Sequence, residues 1–296
     1  MANKESNLRR ATGLLVIEAI NSNPNGDPDR ESDPRMRPDE RGEISPVSFK
    51  RKVRDLVADK EGPVWLAVRE QFSPPLDAGE FAILESRGRN RDEIIGEIAD
   101  NKFLPKYWDG RIFGNTFLEN KVKLSSDHLR TGVVQFGLGI SISPVRVERF
   151  TTTNKSGVQE GKDRGMAPLG YRVVEHGVYT MPFLVNATAA RKTNCTVDDV
   201  ELLLKVIPFA YSHTASYIRT AVEIRHAWYV EHKSALGSAS DFDLITSLTP
   251  RKKGDPDQPS QSWGDYVVPD GLPEPLAGRV APVRDLMAEL YAASSA

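Results

Sequence analysis

Residues 13–29, GLLVIEAINSNPNGDPD, decide the fold because they join a strand to a long loop. Leu14–Ile20 is a short, mostly apolar run with branched side chains, which predicts a strand buried in a sheet. Asn21–Asp29 consists almost entirely of turn-forming residues, and further prolines follow at positions 34 and 38. The sequence therefore predicts a buried first strand and then an irregular loop of about 25 residues, a length typical of functional loops.

A basic helix follows this loop. Ser45 and Pro46 are residue types favoured at the N-cap and at the first position of a helix. Residues 48–54 contain no acidic side chain and four basic ones, which are Lys50, Arg51, Lys52 and Arg54. At about 100° per residue, Lys50 and Arg54 share a face, while Arg51 and Lys52 fan outward. This pattern suits a phosphate chain that crosses the helix, and an ordinary solvated helix face is the alternative.

The remaining segments alternate between strands and helices. Thr131–Ile142 is rich in β-branched residues, and its Gly137 and Gly139 permit close approach, which predicts a second central strand. The other predicted elements are a protruding hairpin at about 150–170, a helix from the cap Thr196 to about Ala210, a strand at Ala221–Glu231 and a Pro-rich loop or arm at about 249–275. This order predicts an α+β, ferredoxin-like core with long insertions, in a single domain over residues 1–296.

The composition excludes several classes of protein. The 296 residues carry a net charge of −2, which argues against a strongly basic nucleic-acid-binding domain but permits a local basic groove. The single cysteine, Cys195, excludes a disulfide within the chain and a zinc site built on paired cysteines. No apolar run is long enough to span a membrane, and the polar N-terminus lacks the apolar stretch of a signal peptide. We expect a cytoplasmic protein without a membrane partner.

No motif for catalysis or cofactor binding stands out. The chain lacks the P-loop, the dinucleotide-binding glycine pattern and the nucleophile elbow, and its histidines lack familiar ligand spacings. From Asn21 onward the loop partly resembles a calcium-binding loop, but Ser32 stands where a bidentate glutamate is required, so consecutive turns are the better interpretation. Cys195 has no His or acid pattern that would mark it as a nucleophile. We expect no catalytic residue, metal ligand or cofactor.

Two further groups of residues have the composition of an RNA-binding surface. The first lies in and around the hairpin and mixes basic residues with side chains that can stack on bases or wedge between them; the RNA-binding candidates among its members are Arg149, Phe150, Arg164, Met166 and Arg172. The second follows the helix that ends near Ala210, and its hydroxyls, aromatic rings and arginine suit sugar–phosphate contacts; the RNA-binding candidates among its members are Ser212, His213 and Arg219. Taken singly, each group also fits an ordinary surface hairpin or a capped helix end.

Four segments in this order resemble a known family. They are Asn23–Asp29 (NPNGDPD), Ser48–Arg54 (SFKRKVR), Arg111–Gly114 (RIFG) and Gly132–Val145 (GVVQFGLGISISPV). The set is similar to the Cas7 backbone subunit of type I CRISPR Cascade complexes, which belongs to the RAMP superfamily, and most of all to its subtype B and C branch. The similarity covers about residues 12–232, and the NPNGDPD loop and the VQFG strand are specific when they occur together.

The resemblance implies a modified RNA-recognition-motif core whose hairpin at about 150–170 is a thumb. It implies that Lys50–Arg54 grip RNA phosphates, and the matching loop adds Asn25 to the RNA-binding residues. The implied partners are crRNA, target DNA, other copies of the chain in a helical backbone, other Cascade subunits and a nuclease-helicase recruited through the complex. One departure is that Ala167 and Pro168 stand where the subtype C pattern has a basic pair.

These observations together predict a non-catalytic subunit that binds a guide RNA and presents it for pairing with target DNA. The alternative is a RAMP-type endoribonuclease that cleaves target RNA, with Asp33 or Asp163 as the loop aspartate. A third interpretation is a structural oligomer that forms without RNA, which predicts that no nucleic acid co-purifies with the protein.

Overall fold

The computed structural model describes residues 8–86, 90–100, 102–115, 130–155 and 166–293. Within these residues the strands are β1 (Ala11–Ser22), β2 (Arg41–Ile44), β3 (Gly114–Asn115), β4 (Arg130–Thr131), β5 (Val134–Phe136), β6 (Gly139–Pro144), β7 (Val147–Lys155), β8 (Met166–Val185), β9 (Val222–Glu231), β10 (Arg251–Lys252), β11 (Tyr266–Val267) and β12 (Arg284–Asp285). The helices are α1 (Pro46–Ala58), α2 (Pro63–Arg69), α3 (Arg91–Ala99), α4 (Phe103–Lys106), α5 (Trp108–Phe113), α6 (Ala187–Thr193), α7 (Val197–Val206), α8 (Asp241–Leu248), α9 (Glu274–Ala277) and α10 (Leu286–Ala293). None of these helices is long and apolar enough to cross a membrane.

The central sheet has a ferredoxin-like topology. Its main path runs β12-β9-β1-β8-β6-β2, and β5 and β7 pair with β8 beside this path. All of these pairs are antiparallel. The chain order β1-α1-β6-β8-α7-β9 gives the spatial order β9-β1-β8-β6, which is the arrangement of the βαββαβ unit. The predicted α+β, ferredoxin-like core with long insertions is therefore confirmed.

Strand β1 is buried, as its apolar run predicts, and both of its faces are covered. Leu15 and Ile17 pack in one core with Phe49 of α1, whereas Leu14 and Val16 belong to a second core. The alternation follows from the two-residue period of a strand, which points successive side chains to opposite faces. The first core holds α1, α2, α5 and α7 against the sheet. One of these helices, α1, carries the basic segment 48–54.

The second face of the sheet is covered by the C-terminal part of the chain. The buried apolar residues that cover it are Leu244, Leu248, Tyr266 and Val280. A buried polar contact supports them, because His176 Nδ1 of β8 lies 2.7 Å from Ser260 Oγ, and His176 Nε2 lies 3.0 Å from Glu18 Oε1. The Pro-rich residues 249–275 include β10 and β11, and Tyr266 of β11 packs in this core.

The loop after β1 differs from its prediction at the C-terminal end. Residues 41–44 form β2, which pairs with β6 at the edge of the central sheet. The sequence does not predict this strand. Its four residues are too few for a recognisable alternation, and they directly follow turn-forming residues. The rest of the loop does consist of turns, in which Glu31, Ser32 and Glu40 have positive φ.

The segment 131–142 forms several short strands rather than one. The strands β5 and β6 are separated at Gly137 and Leu138. A Cβ on Gly139 would lie 3.0 Å from Met181 Cε and 3.1 Å from Ile44 Cβ. Gly139 therefore allows the neighbouring strands β8 and β2 to lie close to β6.

The strands β7 and β8 form the two arms of the predicted hairpin. Their antiparallel register runs from Val147 opposite Val174 to Lys155 opposite Met166. The hairpin tip, residues 156–165, lies outside the described residues.

Candidate nucleic-acid interface

The start of the basic helix α1 is fixed by the loop that precedes it. Ser45 is the N-cap, and its hydroxyl accepts a hydrogen bond from the Ser48 backbone N–H at 3.2 Å. The Ser45 backbone N–H in turn donates to Asn25 Oδ1 at 2.7 Å, while Asn25 Nδ2 donates to the Gly26 carbonyl at 2.9 Å. Asn25 is buried, and its amide is occupied by the chain itself. Its observed role is to orient α1.

Lys50 and Arg54 do share a face of α1, and both lie over the ring of Phe113. The Lys50 ammonium is 5.2 Å and the Arg54 guanidinium 5.1 Å from the ring centroid, a distance at which a cation is attracted to the ring. Arg54 also donates from Nε to Asp109 Oδ2 at 2.9 Å. Because the Asp109 carboxylate is 1% exposed, Arg54 is part of a largely buried ion pair, and Lys50 is not.

Lys52 does not fan outward as the helical projection predicts. It is 7% exposed, because the turn after α7 covers it. Its Nζ donates to Thr214 Oγ1 at 2.8 Å and lies 4.9 Å from the ring centroid of Tyr211. Burial, and then the nearby charge of Arg219, lower the pKa of Lys52 to about 8, and Asp55 opposes this shift.

The two lysines of α1 carry charge that the protein compensates poorly. Neither Lys50 nor Lys52 pairs with a carboxylate of the described residues, whereas Arg51 pairs with Asp55 at 2.9 Å. Burial and the neighbouring Arg54 also lower the pKa of Lys50. A bound anion would reverse these shifts, because an opposite charge favours the charged form of a lysine. An anion close to α1 would therefore be stabilised by the charge of these lysines.

The turn 211–219 joins α1 to the loop after β1. Arg219 donates from Nε to the Asn23 carbonyl at 2.9 Å, and the Asn23 backbone N–H donates to the Ile218 carbonyl at 2.7 Å. Ser212 and His213 of the predicted set are exposed on this turn. The turn thus connects the basic helix with the NPNGDPD loop.

Three aromatic rings continue this surface towards the hairpin. Phe150 of β7 stacks on Tyr171 of β8 with ring centroids 5.5 Å apart, and Tyr171 meets Tyr217 edge-to-face at 5.6 Å. Phe150 is 39% exposed and Tyr217 is 65% exposed. Exposed rings of this kind are stacking platforms for the bases of a single strand.

The arginines at the base of the hairpin are held by acidic residues of the loop. Arg172 lies 2.7 Å from Asp33 and 2.9 Å from Glu31, and the largely exposed Arg149 lies 3.5 Å from Asp33. These ion pairs link β7 and β8 to the NPNGDPD loop. They also leave Arg172 and Arg149 with less uncompensated charge than Lys50 and Lys52.

The structure thus brings most of the predicted residues into one connected region, in which Asn25 and Lys52 are buried. Arg164 lies outside the described residues and only the backbone of Met166 is described, so the structure does not place these two side chains. The RNA-binding role of every residue in the set stays a prediction. Sequence reasoning missed Phe113, the platform beneath two cations, and Thr214, the partner of Lys52. Phe113 lies in the RIFG segment and Thr214 in the hydroxyl-rich turn, but neither segment indicates a partner in α1.

Neither a reactive cysteine nor a metal-binding cluster is found among the described residues. Cys195 is buried, and burial raises the pKa of its thiol well above the ordinary value, which disfavours the reactive thiolate. No group of three or more His, Cys, Asp or Glu side chains that could hold a metal ion occurs in the part of the chain that the structure describes.

Comparison with known proteins gives a consistent family assignment. The family model "CRISPR-associated protein Cas7" matches residues 9–269. The CRISPR-associated protein Cas7 of Haloferax volcanii is 28% identical over 212 residues, which are 66% of this chain and 62% of that protein. The chain therefore spans about 62% of the length of this curated relative.

Similar solved structures come from CRISPR complexes. A chain of a CRISPR RNA-guided surveillance complex in a pre-nicking state has a TM-score of 0.48 at 14% identity, with 75% of this chain and 78% of that chain covered. A second surveillance complex gives 0.41 at 16% identity, with coverages of 80% and 75%. The Type III-B Cmr-beta complex bound to cognate target RNA gives 0.38 at 12% identity, with coverages of 75% and 61%.

Proposed function

The chain belongs to the Cas7 family of CRISPR-associated proteins, and from this premise we propose that it is a crRNA-binding backbone subunit of a CRISPR surveillance complex. Several copies stack along one guide RNA, and the guide bases are presented for pairing with target DNA. The protein holds the backbone of the guide, and base pairing supplies the sequence specificity, a division of labour known from another RNA-guided effector.

One observation carries this proposal. Lys50 and Lys52 are desolvated cations without a carboxylate partner among the described residues. The turn that covers Lys52 also carries the exposed ring of Tyr217, which Tyr171 connects to the exposed ring of Phe150. Phosphates supply the missing negative charge, and bases supply partners for the rings. A single-stranded RNA offers both kinds of group along one chain.

The further partners of the proposal are target DNA, other copies of the chain, other Cascade subunits and a recruited nuclease-helicase. The net charge of −2 suits repeated stacking, because a strongly basic chain would repel its own neighbours. The positive charge is needed only where the RNA lies.

A cleaving role for the loop aspartates receives less support. Asp33 lies 2.7 Å from Arg172 and 3.5 Å from Arg149, so its carboxylate already holds the hairpin base. Asp163 lies outside the described residues. If the assembled complex cleaved complementary RNA and an Asp33→Ala or Asp163→Ala variant abolished the product, the non-catalytic role would be wrong.

A salt titration with a neutralised helix tests the RNA-binding role. The variant Lys50→Gln/Arg51→Gln/Lys52→Met removes three charges and leaves Arg54 in place, because Asp109 would otherwise lose its partner. We expect weaker binding of a labelled single-stranded RNA, and a shallower dependence of log Kd on log salt, by about 0.7 for each lost phosphate contact. Lys192→Met, an exposed lysine on α6, is the matched control. An unchanged salt slope in the triple variant would remove α1 from the RNA site.

A further inference from the structure

The loop between β1 and β2 contacts three separate parts of the proposed RNA-binding region. Asn25 Oδ1 accepts a hydrogen bond from the backbone N–H of the N-cap of α1 at 2.7 Å. The Asn23 carbonyl accepts from Arg219 Nε, in the turn after α7, at 2.9 Å. Asp33 lies 2.7 Å from Arg172 at the base of the hairpin. One loop therefore joins the basic helix, the turn and the hairpin.

Hydrogen bonds within the loop hold the backbone that carries Asp33. The Asp33 carbonyl accepts from the Asp27 backbone N–H at 2.7 Å. The Ser32 carbonyl accepts from Asn23 Nδ2 at 2.8 Å. Glu31 and Ser32 have φ values of 50° and 66°, in a region that residues with a side chain adopt only where the surrounding structure determines it. The loop is thus a fixed support for its acidic side chains.

Two arginines make the base of the hairpin depend on Asp33. Arg149 and Arg172 stand directly opposite each other in the antiparallel register of β7 and β8, where like charges repel. The Asp33 carboxylate lies 2.7 Å from Arg172 Nη1 and 3.5 Å from Arg149 Nη2, and Glu31 Oε2 accepts from Arg172 Nη2 at 2.9 Å. The side chains of Asp33 and Arg172 are only 22% and 25% exposed, so solvent and salt screen this pair less than a surface pair.

The opposite face of the hairpin carries the aromatic rings. Successive residues of a strand point to opposite faces, so Phe150 and Tyr171 lie on the other side of the hairpin from the two arginines. Tyr171 meets Tyr217 of the turn 211–219 on that side. The loop and the turn are themselves joined by hydrogen bonds. The hairpin base is therefore in contact with the loop on one face and with the turn on the other.

We propose that Asp33 is a positioning residue, which acts through Arg172 and Arg149 to fix the direction of the hairpin relative to α1. The inference rests on the proposed RNA-binding function, because this direction sets where the ring of Phe150 lies along the RNA. Asp33 has the same sign of charge as a phosphate, so it acts without contacting the RNA backbone. The opposite account, in which the loop competes with RNA phosphates for the arginines, predicts that loss of Asp33 tightens RNA binding.

The first measurement follows the direction of the hairpin in the free protein. Nitroxide labels are attached to the full chain at Thr151→Cys on β7 and Lys192→Cys on α6, two exposed positions. The native Cys195 is buried and stays unlabelled. Pulsed electron paramagnetic resonance then gives the distribution of distances between the labels. We expect a narrow distribution in the labelled protein, a broadened or shifted one in Asp33→Asn, and a narrow one again in Asp33→Glu, which keeps the charge.

The second measurement is the Kd of the unlabelled full chain for a fluorescein-labelled single-stranded RNA. Asp33→Asn should weaken binding about fivefold, the lower end of the range for one base stacked on an aromatic ring, although it makes the protein less negative. Arg172→Gln should also weaken binding, and the double variant should lose less than the sum of the two single losses, because the two residues act as one pair. Asp29→Asn, at an exposed aspartate of the same loop, is the matched control and should keep both the distance distribution and the Kd. Thermal melting of each variant verifies that it is folded.

Unchanged distance distributions in Asp33→Asn and Arg172→Gln would overturn the positioning role and leave the RNA-binding function standing. Equal or tighter RNA binding by a folded Asp33→Asn variant would also overturn it, because the RNA would then gain nothing from the direction that Asp33 imposes. Failure of the wild-type protein to bind RNA would overturn the proposed function itself, while the distances in the free protein would show whether the loop directs the hairpin.

Discussion

Lys52 Nζ donates a hydrogen bond to Thr214 Oγ1 at 2.8 Å, across 162 positions of the chain. The Thr214 hydroxyl in turn donates a hydrogen bond to the Ala210 carbonyl at 2.5 Å. The contact unites the basic helix and the turn 211–219 in one surface. It also leaves a buried ammonium with a neutral partner, and under the proposed function an RNA phosphate would supply the missing negative charge.

The pH dependence of RNA binding should report on Lys52. Its pKa in the free protein is about 8, so the side chain loses its charge as the pH rises from 7 to 9. We expect the Kd for single-stranded RNA to increase over this interval. A phosphate beside Lys52 raises its pKa again, so binding near pH 8 should take up protons. The same pH dependence in Lys52→Met as in the wild-type protein would contradict this assignment.

Lys52→Met should also separate stability from RNA binding. The folded-state pKa of about 8 lies below the ordinary lysine pKa of 10.5, so the charged form opposes folding. This unfavourable contribution is fully present below about pH 8 and is relieved as the pH rises towards 10.5. At pH 7 we expect the free energy of unfolding to increase by about 1–3 kcal/mol in the variant, since one pKa unit corresponds to about 1.4 kcal/mol. Denaturant unfolding measures this change, and a clear loss of stability would show that the charge supports the fold.

Arg111 of the RIFG segment should prove to be structural. Its guanidinium donates to both carboxylate oxygens of Asp199, from Nε at 3.0 Å and from Nη2 at 2.7 Å, and also to the carbonyls of Glu80, Leu104 and Pro105. Both side chains are buried. Arg111→Met leaves Asp199 buried without its partner, and we expect a loss of about 3–5 kcal/mol in the free energy of unfolding.

Arg51→Met is the comparison for this loss. Arg51 pairs with Asp55 at 2.9 Å, but both side chains are about half exposed. An exposed pair of this kind contributes about 0–1 kcal/mol. Equal losses of stability in Arg111→Met and Arg51→Met would refute the structural role of the buried pair.

Tyr217 should contribute to RNA binding through its ring alone. It is 65% exposed and contacts Tyr171 edge-to-face. Tyr217→Ala should weaken RNA binding by about 1–3 kcal/mol, the range found for a base stacked on an aromatic side chain, and should leave the melting temperature nearly unchanged. Tyr217→Phe should bind like the wild-type protein. Phe242→Ala, at an 82% exposed ring on α8, controls for the loss of any exposed ring.

The parts of the fold with local signals could be predicted from the sequence. Ser45 caps α1, and Thr196 caps α7 through a full capping box with Asp199. These signals lie within three residues of the helix start, so they can be recognised without a partner. The apolar run of β1 is equally local, and it correctly predicted a buried strand.

The parts that depend on distant partners could not be predicted. The burial of Lys52 requires Thr214, and nothing in Ser48–Arg54 indicates that a turn from the other end of the core covers that side chain. The cover on the second face of the sheet likewise requires Tyr266 and Ser260, which lie in a stretch whose prolines and polar residues are typical of a loop. The ion pair between Asp33 and Arg172 could not be predicted for the same reason. Asp33 lies in the loop after β1 and Arg172 lies in β8, so the two meet only in the folded chain.

Purification of the chain after co-expression with a guide RNA tests the central claim most directly. We expect the protein to elute with an ultraviolet absorbance ratio typical of a ribonucleoprotein, to protect RNA of guide length from nuclease, and to form assemblies whose mass increases with the length of the guide. A monomer with a protein-like absorbance ratio, obtained with the guide RNA present, would contradict the account.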